Sequence, residues 1–228
     1  MVFVSSFNEL LSQFDPRSRR FEKIWNTYMR VSLPWKRTMD AAFWEGRLLG
    51  DSLGPQQFVE LQSSSHILIN EVVKQASGLG APILDLGCNV GRHLNTLYKL
   101  GFTNLYGIDV QREAFVLMEK IFPDMKAAMH VEQGMFQDYL PRVPDRFFEV
   151  VFTHGATLEL VPPSFPICWH MARTASRAIV LAINENGHAY PRLWETEFTR
   201  ARFVLTKLLR PATPDSSVSL LAFQRMTS

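Results

Sequence analysis

From Ile83 to the carboxyl end, short apolar runs alternate with stretches whose apolar residues recur every three or four positions. The runs Ile83 to Leu86, Asn104 to Ile108, Ala128 to Glu132, Phe148 to Phe152 and Ala178 to Ile183 predict strands. Between them, Arg92 to Leu100, Gln111 to Ile121 and Phe165 to Thr174 predict helices; Ala114, Leu117, Met118 and Ile121 form one such apolar face. Strand, helix, strand repetition of this kind predicts a doubly wound α/β fold with a mostly parallel sheet. Met135 to Pro144, interrupted by Pro141 and Pro144, reads as a loop.

The rhythm changes at both ends. Phe203 to Leu209 and Val218 to Phe223 flank the turn-rich RPATPDSS, which predicts an antiparallel hairpin closing a seven-stranded sheet. Upstream, Pro55 to Ala76 places Phe58, Leu61, Leu68, Val72 and Ala76 on one face of a predicted helix that packs on the sheet. Before that, Phe21 to Leu49 is rich in aromatic residues and interrupted by Pro34 and Gly46. Its rings either fill a satellite core or form a lid over a substrate. The expected division is a helical cap over residues 1–54 and a main domain over 55–228.

Composition narrows the class of molecule. At 228 residues, 46% apolar and 20% charged, the chain can bury a substantial core. No apolar run approaches the roughly 20 residues needed to cross a bilayer. No basic leader precedes an apolar block, so export is disfavoured. Cys88 and Cys168 make neither a disulfide framework nor a zinc spacing, which suits a reducing, cytoplasmic setting and no metal. The net charge of +2 is dispersed, with short basic clusters only at Arg17 to Arg20 and Lys36 to Arg37, which disfavours a nucleic-acid partner.

The candidate chemistry begins at ILDLGCNVGRHL, where Asp85, Gly87, Asn89 and Gly91 sit between the first predicted strand and its helix. In open parallel sheets ligands bind at that end of the strands. The two glycines let backbone approach a ligand, and Asn89 tolerates a left-handed conformation. The spacing GxxxG departs from the GxGxxG of dinucleotide sites, so an NAD-dependent oxidoreductase is disfavoured. A carboxylate two residues before the first glycine opposes pyrophosphate and suits an ammonium group. Asp109 ends the second strand 22 residues past Gly87, where it can accept hydrogen bonds from ribose hydroxyls or cap the next helix. A phosphate-free nucleoside with a cationic amino-acid tail meets these constraints, and S-adenosylmethionine is such a molecule.

The motifs DLGCNVGR, LYGIDV and EQGMFQDYLP, in this order and followed by the terminal hairpin, resemble those of class I S-adenosylmethionine-dependent methyltransferases. The resemblance covers about two thirds of the chain. It implies that Asp85, Gly87, Cys88, Asn89, Gly91 and Arg92 surround the cofactor's amino-acid end and that Asp109 and Val110 meet its ribose. Met135 and Phe136 would border the adenine, although Met135 stands where the family usually has an acid; Gln137 or Asp138 could substitute.

Methyl transfer asks the protein chiefly for alignment and exclusion of water. Thr153 and His154 end the fourth strand near the expected methyl group. His154 is the candidate catalytic residue, as polar contact or as base, with a backbone or cofactor-bordering role as the alternative. Glu159 reads as solvated or capping, with substrate contact as the further option. Asn184, His188 and Tyr190 follow the fifth strand, and with Trp25, Tyr28 and Trp35 they are candidates for the acceptor site. After the fourth strand the chain reads THGA, without the Asn/Asp-Pro-Pro-aromatic motif of nucleic-acid amino-methylating relatives. A small-molecule acceptor is therefore expected, and a non-catalytic cofactor-binding or protein-interaction module is the alternative.

Overall fold

The computed structural model describes residues 20, 23–24, 27, 54–155, 158–185, 190 and 192–227. Its frame is a seven-stranded sheet in the order β3-β2-β1-β4-β5-β7-β6. The strands are β1 Ile83–Leu86, β2 Leu105–Asp109, β3 His130–Gln133, β4 Phe148–His154, β5 Ala175–Ile183, β6 Phe203–Leu209 and β7 Ser219–Arg225. β1 to β5 pair in parallel, and β7 runs antiparallel to both β5 and β6. The chain leaves β1 toward β2 and β3 on one side, then returns past β1 to β4. Adjacent connections therefore diverge beyond the ends of β1 and β4, and a crevice at that point is the usual ligand site of such sheets.

Helices cover both faces. They are α1 Ser63–Gln75, α2 Arg92–Lys99, α3 Arg112–Ile121, α4 Pro123–Ala128, α5 Phe136–Tyr139, α6 Ile167–Thr174 and α7 Trp194–Arg200. Side chains alternate across a strand, so Ile83, Val150, Phe152, Val180 and Ala222 pack with Leu68 and Val72 of α1 and Leu94 and Leu97 of α2. Leu84, Leu86, Val151, Ile179, Leu181 and Phe223 pack oppositely with Met171 of α6 and Phe198 of α7. The central strands are nearly all apolar because both faces are buried. Asp85 and His154 share the parity of Ile83 and Phe152, so the alternation turns both toward α1 and α2.

Several expected boundaries move. Pro55 to Ala76 is not one helix: Pro55–Phe58 forms a 3₁₀ turn, Gln62 is extended, and α1 begins in the serine run. Serines suit a first helical turn, where backbone N–H groups lack intrahelical partners. Met135 to Pro144 is not an irregular loop, since it holds α5 and a 3₁₀ turn at Leu140–Arg142. Pro141 falls at the start of that turn, where its missing N–H costs nothing. β3 starts at His130 rather than Ala128, which ends α4. β5 begins at Ala175, three residues early, and α7 fills a stretch with no predicted element.

Candidate active site

The turn from β1 into α2 has the expected backbone. Gly87, Asn89 and Gly91 have φ of 78°, 47° and 76°, all in the left-handed region. The Gly87 and Cys88 N–H groups donate to the Ile108 carbonyl at 2.9 and 3.1 Å, which hangs the turn on the end of β2. Asp109 closes the arrangement: its carboxylate accepts the Asn89 N–H at 2.9 Å and the Gln111 N–H at 3.0 Å. The Asn89 side chain donates to Gln111 at 3.0 Å and accepts the Val90 N–H at 2.8 Å. Burial pushes the Asp109 carboxyl up to about 6, against the opposing pull of those backbone donors. Asp109 thus orders the turn and entry to α3, and it retains lone pairs for further donors. Gly107 lets Leu94 and Cys88 close on the β2 backbone, since a Cβ would lie 2.7 Å from Leu94 Cδ1 and 2.9 Å from Cys88 Sγ and would force them to shift.

A buried polar cluster lies beside this turn, between β1, β4, α1 and α2. Asp85 is fully enclosed, and neither carboxylate oxygen has a hydrogen-bond partner. His93 Nδ1 is 3.6 Å from Asp85 Oδ2, beyond hydrogen-bond distance, while its Nε2 hydrogen-bonds Ser65 Oγ at 3.1 Å. Arg92 donates to the Glu60 carbonyl at 2.7 Å and to His154 Nδ1 at 3.4 Å, and its guanidinium lies over the Phe58 ring. His154 Nε2 meets Ser64 Oγ at 2.9 Å, and the two imidazole centroids are 5.0 Å apart. Desolvation dominates the electrostatics. It raises Asp85 to about 8 despite Arg92, and it lowers His93 to about 3, with Arg92 adding to the effect. His154 falls to about 2 by desolvation, helped by His93 and Arg92. Both imidazoles are therefore neutral at physiological pH.

Further along the same sheet end, the Thr153 hydroxyl donates to the Leu86 carbonyl at 2.7 Å, which ties the tips of β1 and β4 together. Glu159 is buried rather than solvated: its carboxylate accepts the Asn184 N–H at 2.6 Å, and its carbonyl accepts the Tyr190 N–H at 2.7 Å. Glu159, Asn184 and Tyr190 are therefore brought together, with Tyr190 buried. Met135 precedes α5 and accepts the Asp138 and Tyr139 N–H groups, half-buried Phe136 packs beneath the sheet, and the Val110 carbonyl faces Gln133 Nε2 at 3.5 Å. Trp25, Tyr28, Trp35 and His188 lie outside the described residues.

Ser64, Ser65 and His93 belong to the cluster, yet no motif pointed to them. The available signal was the run Ser63-Ser64-Ser65 at a helix start, which reads equally well as a cap. Gln137 Oε1, in the segment where the resemblance expects an acid, is buried and has no hydrogen-bond partner. Among the described residues, no His, Cys, Asp or Glu cluster could hold a metal, and no helix is long and apolar enough to cross a membrane.

No protein with a curated description matches the chain in sequence. Among solved structures, magnesium protoporphyrin IX methyltransferase from Synechocystis PCC 6803, with S-adenosylhomocysteine bound, superposes with a TM-score of 0.59 at 15% identity, covering 86% of this chain and 99% of that one. An S-adenosylmethionine-dependent methyltransferase from Mesorhizobium loti gives 0.59 at 11% identity, covering 72% and 98%. The [4+2]-cyclase SpnF gives 0.55 at 10% identity, covering 71% and 80%. These likenesses establish the fold. Residues 83–178 match the family model of the methyltransferase domain, and they hold the glycine turn, Asp109 and, of the buried polar cluster, Asp85, Arg92, His93 and His154. Over residues 83–178 the chain is therefore similar to the methyltransferase domain, within a fold that it shares with S-adenosylmethionine-dependent methyltransferases.

Proposed function

We propose that the protein transfers a methyl group to an oxygen or nitrogen of a small organic acceptor, of the sugar or secondary-metabolite kind. The observation that carries the cofactor's place is Asp85. A buried carboxylate without a hydrogen-bond partner is costly, and a ligand ammonium group would satisfy it. Asp109 would take the ribose hydroxyls with its remaining lone pairs. Val110 would lie beside the ribose, Met135 and Phe136 would border the adenine, and backbone of Gly87, Cys88, Asn89 and Gly91 would surround the amino-acid end. When bound, S-adenosylmethionine supplies a methyl group on sulfonium sulfur, already activated for in-line displacement.

The chain then has to bind, align and exclude water. Of the roles open to His154, a neutral imidazole supports that of polar contact: its Nδ1 lone pair is turned to Arg92, and its proton affinity is depressed. Glu159, Asn184 and Tyr190 are proposed to shape the acceptor end. The division into a cap over residues 1–54 and a catalytic domain over 55–228 is proposed on sequence pattern. A reducing cytoplasmic location is supported by two buried free thiols.

Calorimetry with S-adenosylmethionine and S-adenosylhomocysteine tests the cofactor site. Absence of binding by folded protein overturns it. Labelled-methyl transfer to a panel of hydroxyl and amino metabolites tests the acceptor class. A second reading, a binding module without methyl transfer, draws on the lowered basicity of His154. Cofactor binding without turnover on any acceptor would favour it.

A further inference from the structure

Two consecutive serines on α1 hold the two histidines of the buried cluster, one serine to each ring. An arginine N–H can only donate, so His154 Nδ1 must accept from Arg92. A neutral His154 then carries its proton on Nε2 and donates it to Ser64 Oγ. On the other ring, Nδ1 faces Asp85 and Nε2 meets Ser65. If the Ser65 hydroxyl donates to Nε2, His93 carries its proton on Nδ1 and turns an N–H toward the ionised Asp85.

Resting on the cofactor reading above, we propose that Ser64 and Ser65 are positioning residues for the amino-acid end of the cofactor. Ser64 acts through His154 on Arg92, the cation that would meet the carboxylate; Ser65 acts through His93 on Asp85, the anion that would meet the ammonium. Asp85 and Arg92 make a pair of opposite charges fit for a zwitterion, and each is backed by one imidazole and one serine. The titratable and charged groups described around Asp85 are Arg92 and His93 on α2, His154 on β4, Asp109 on β2, and the Cys88 thiol of the glycine turn. α1 contributes only hydroxyls from Ser64 and Ser65 to this cluster. Those hydroxyls therefore hold the two rings in place without adding charge.

The test compares two ligands. S-adenosylhomocysteine carries both the ammonium and the carboxylate, whereas 5′-methylthioadenosine keeps the nucleoside and lacks both. Ser64→Ala and Ser65→Ala should each weaken S-adenosylhomocysteine about tenfold while leaving 5′-methylthioadenosine within about twofold. Equal weakening of both ligands, or no change in either, overturns the positioning role. If a variant does not fold, the unsubstituted protein decides by nitrogen-15 histidine spectra. His154 should be the neutral Nε2–H tautomer, and its signals should shift with S-adenosylhomocysteine and not with 5′-methylthioadenosine. The opposite tautomer, or equal shifts, overturns the proposal. Failure of the unsubstituted protein to bind S-adenosylhomocysteine instead overturns the cofactor reading on which it rests.

Discussion

At the scale of single residues, the site is dominated by carboxylates in places that disfavour their charge. Asp85 is enclosed and unpartnered, so replacing it with Asn removes an ionisable group the ligand-free fold does not satisfy. Asp85→Asn should raise the stability of the ligand-free protein by about 1–2 kcal/mol and abolish S-adenosylmethionine binding. Thermal melts at pH 7.5 with calorimetry check both, and a lowered melting temperature would contradict the account. Because a cationic group needs Asp85 ionised, affinity for S-adenosylmethionine should rise with pH toward about 8, with proton release on binding below that value. Calorimetry in buffers of different ionisation enthalpy measures the released proton. Asp109→Ala should weaken S-adenosylmethionine and S-adenosylhomocysteine alike, by about tenfold or more, since it also frees the Asn89 and Gln111 N–H groups. Unchanged affinity would remove Asp109 from the site. The glycine turn, both carboxylates and His154 were legible because their residue types are costly or rare where they stand. Ser64, Ser65 and His93 were not, because a serine at a helix start and a histidine inside a helix have common local explanations that only a tertiary neighbour displaces.

Among the elements, α1 is held to the sheet by more than its apolar face. Buried Glu71 accepts from Lys207 of β6 at 2.9 Å and from Gln75 at 2.7 Å, and Gln75 accepts from Gln224 of β7 at 2.7 Å. Burial works to raise the Glu71 carboxyl, but its bonds to Lys207 and Gln75 leave it below the usual value. Glu71→Ala should therefore cost about 1–3 kcal/mol in urea titrations, at the lower end if partly exposed Lys207 turns to solvent. Since α1 also carries Ser64 and Ser65, its seating on β6 and β7 bears on the cofactor end. Gly107→Ala probes the seam between β2 and α2. The new Cβ meets Leu94 and Cys88, so about 1–3 kcal/mol of destabilisation is expected, together with weaker cofactor binding as Cys88 shifts in the glycine turn. Ordinary stability with unchanged affinity would show that the turn does not need this close packing. The strands were readable because a parallel strand buried on both faces is a short apolar block. α5 and α7 were not, because each is short, and α5 is followed at once by a proline turn.

For the molecule as a whole, buried ionisable groups on adjoining strands and helices shape the dependence of stability on pH. His93 and His154 stay neutral in the fold while the unfolded chain takes up protons below about 6.5, so their contribution grows as pH rises to that value. Asp85 and Asp109 hold protons that the unfolded chain releases near 3.8, so theirs declines from there to about 8 and about 6 respectively. The two pairs oppose each other between about pH 4 and 6. Above about 6.5 only Asp85 remains of the four, and the folded state binds the extra proton. Stability of the ligand-free protein should therefore fall by roughly 2 kcal/mol between pH 6.5 and 8, and Asp85→Asn should flatten that fall. Urea titrations across the window measure it, and a rise would contradict the assignment. The amino-acid order by itself determined the alternation of strand and helix, the closing hairpin and the left-handed glycine turn, because each is written in local periodicity or in residues tolerant of positive φ. Only the tertiary structure decided which side chains meet. The parity of β1 and β4 turns Asp85 and His154 to one face, and α1, distant in sequence from β4, brings its serines against them. Burial there reverses the charge preferences the residues have in water, and no local pattern records how much water a neighbouring element removes.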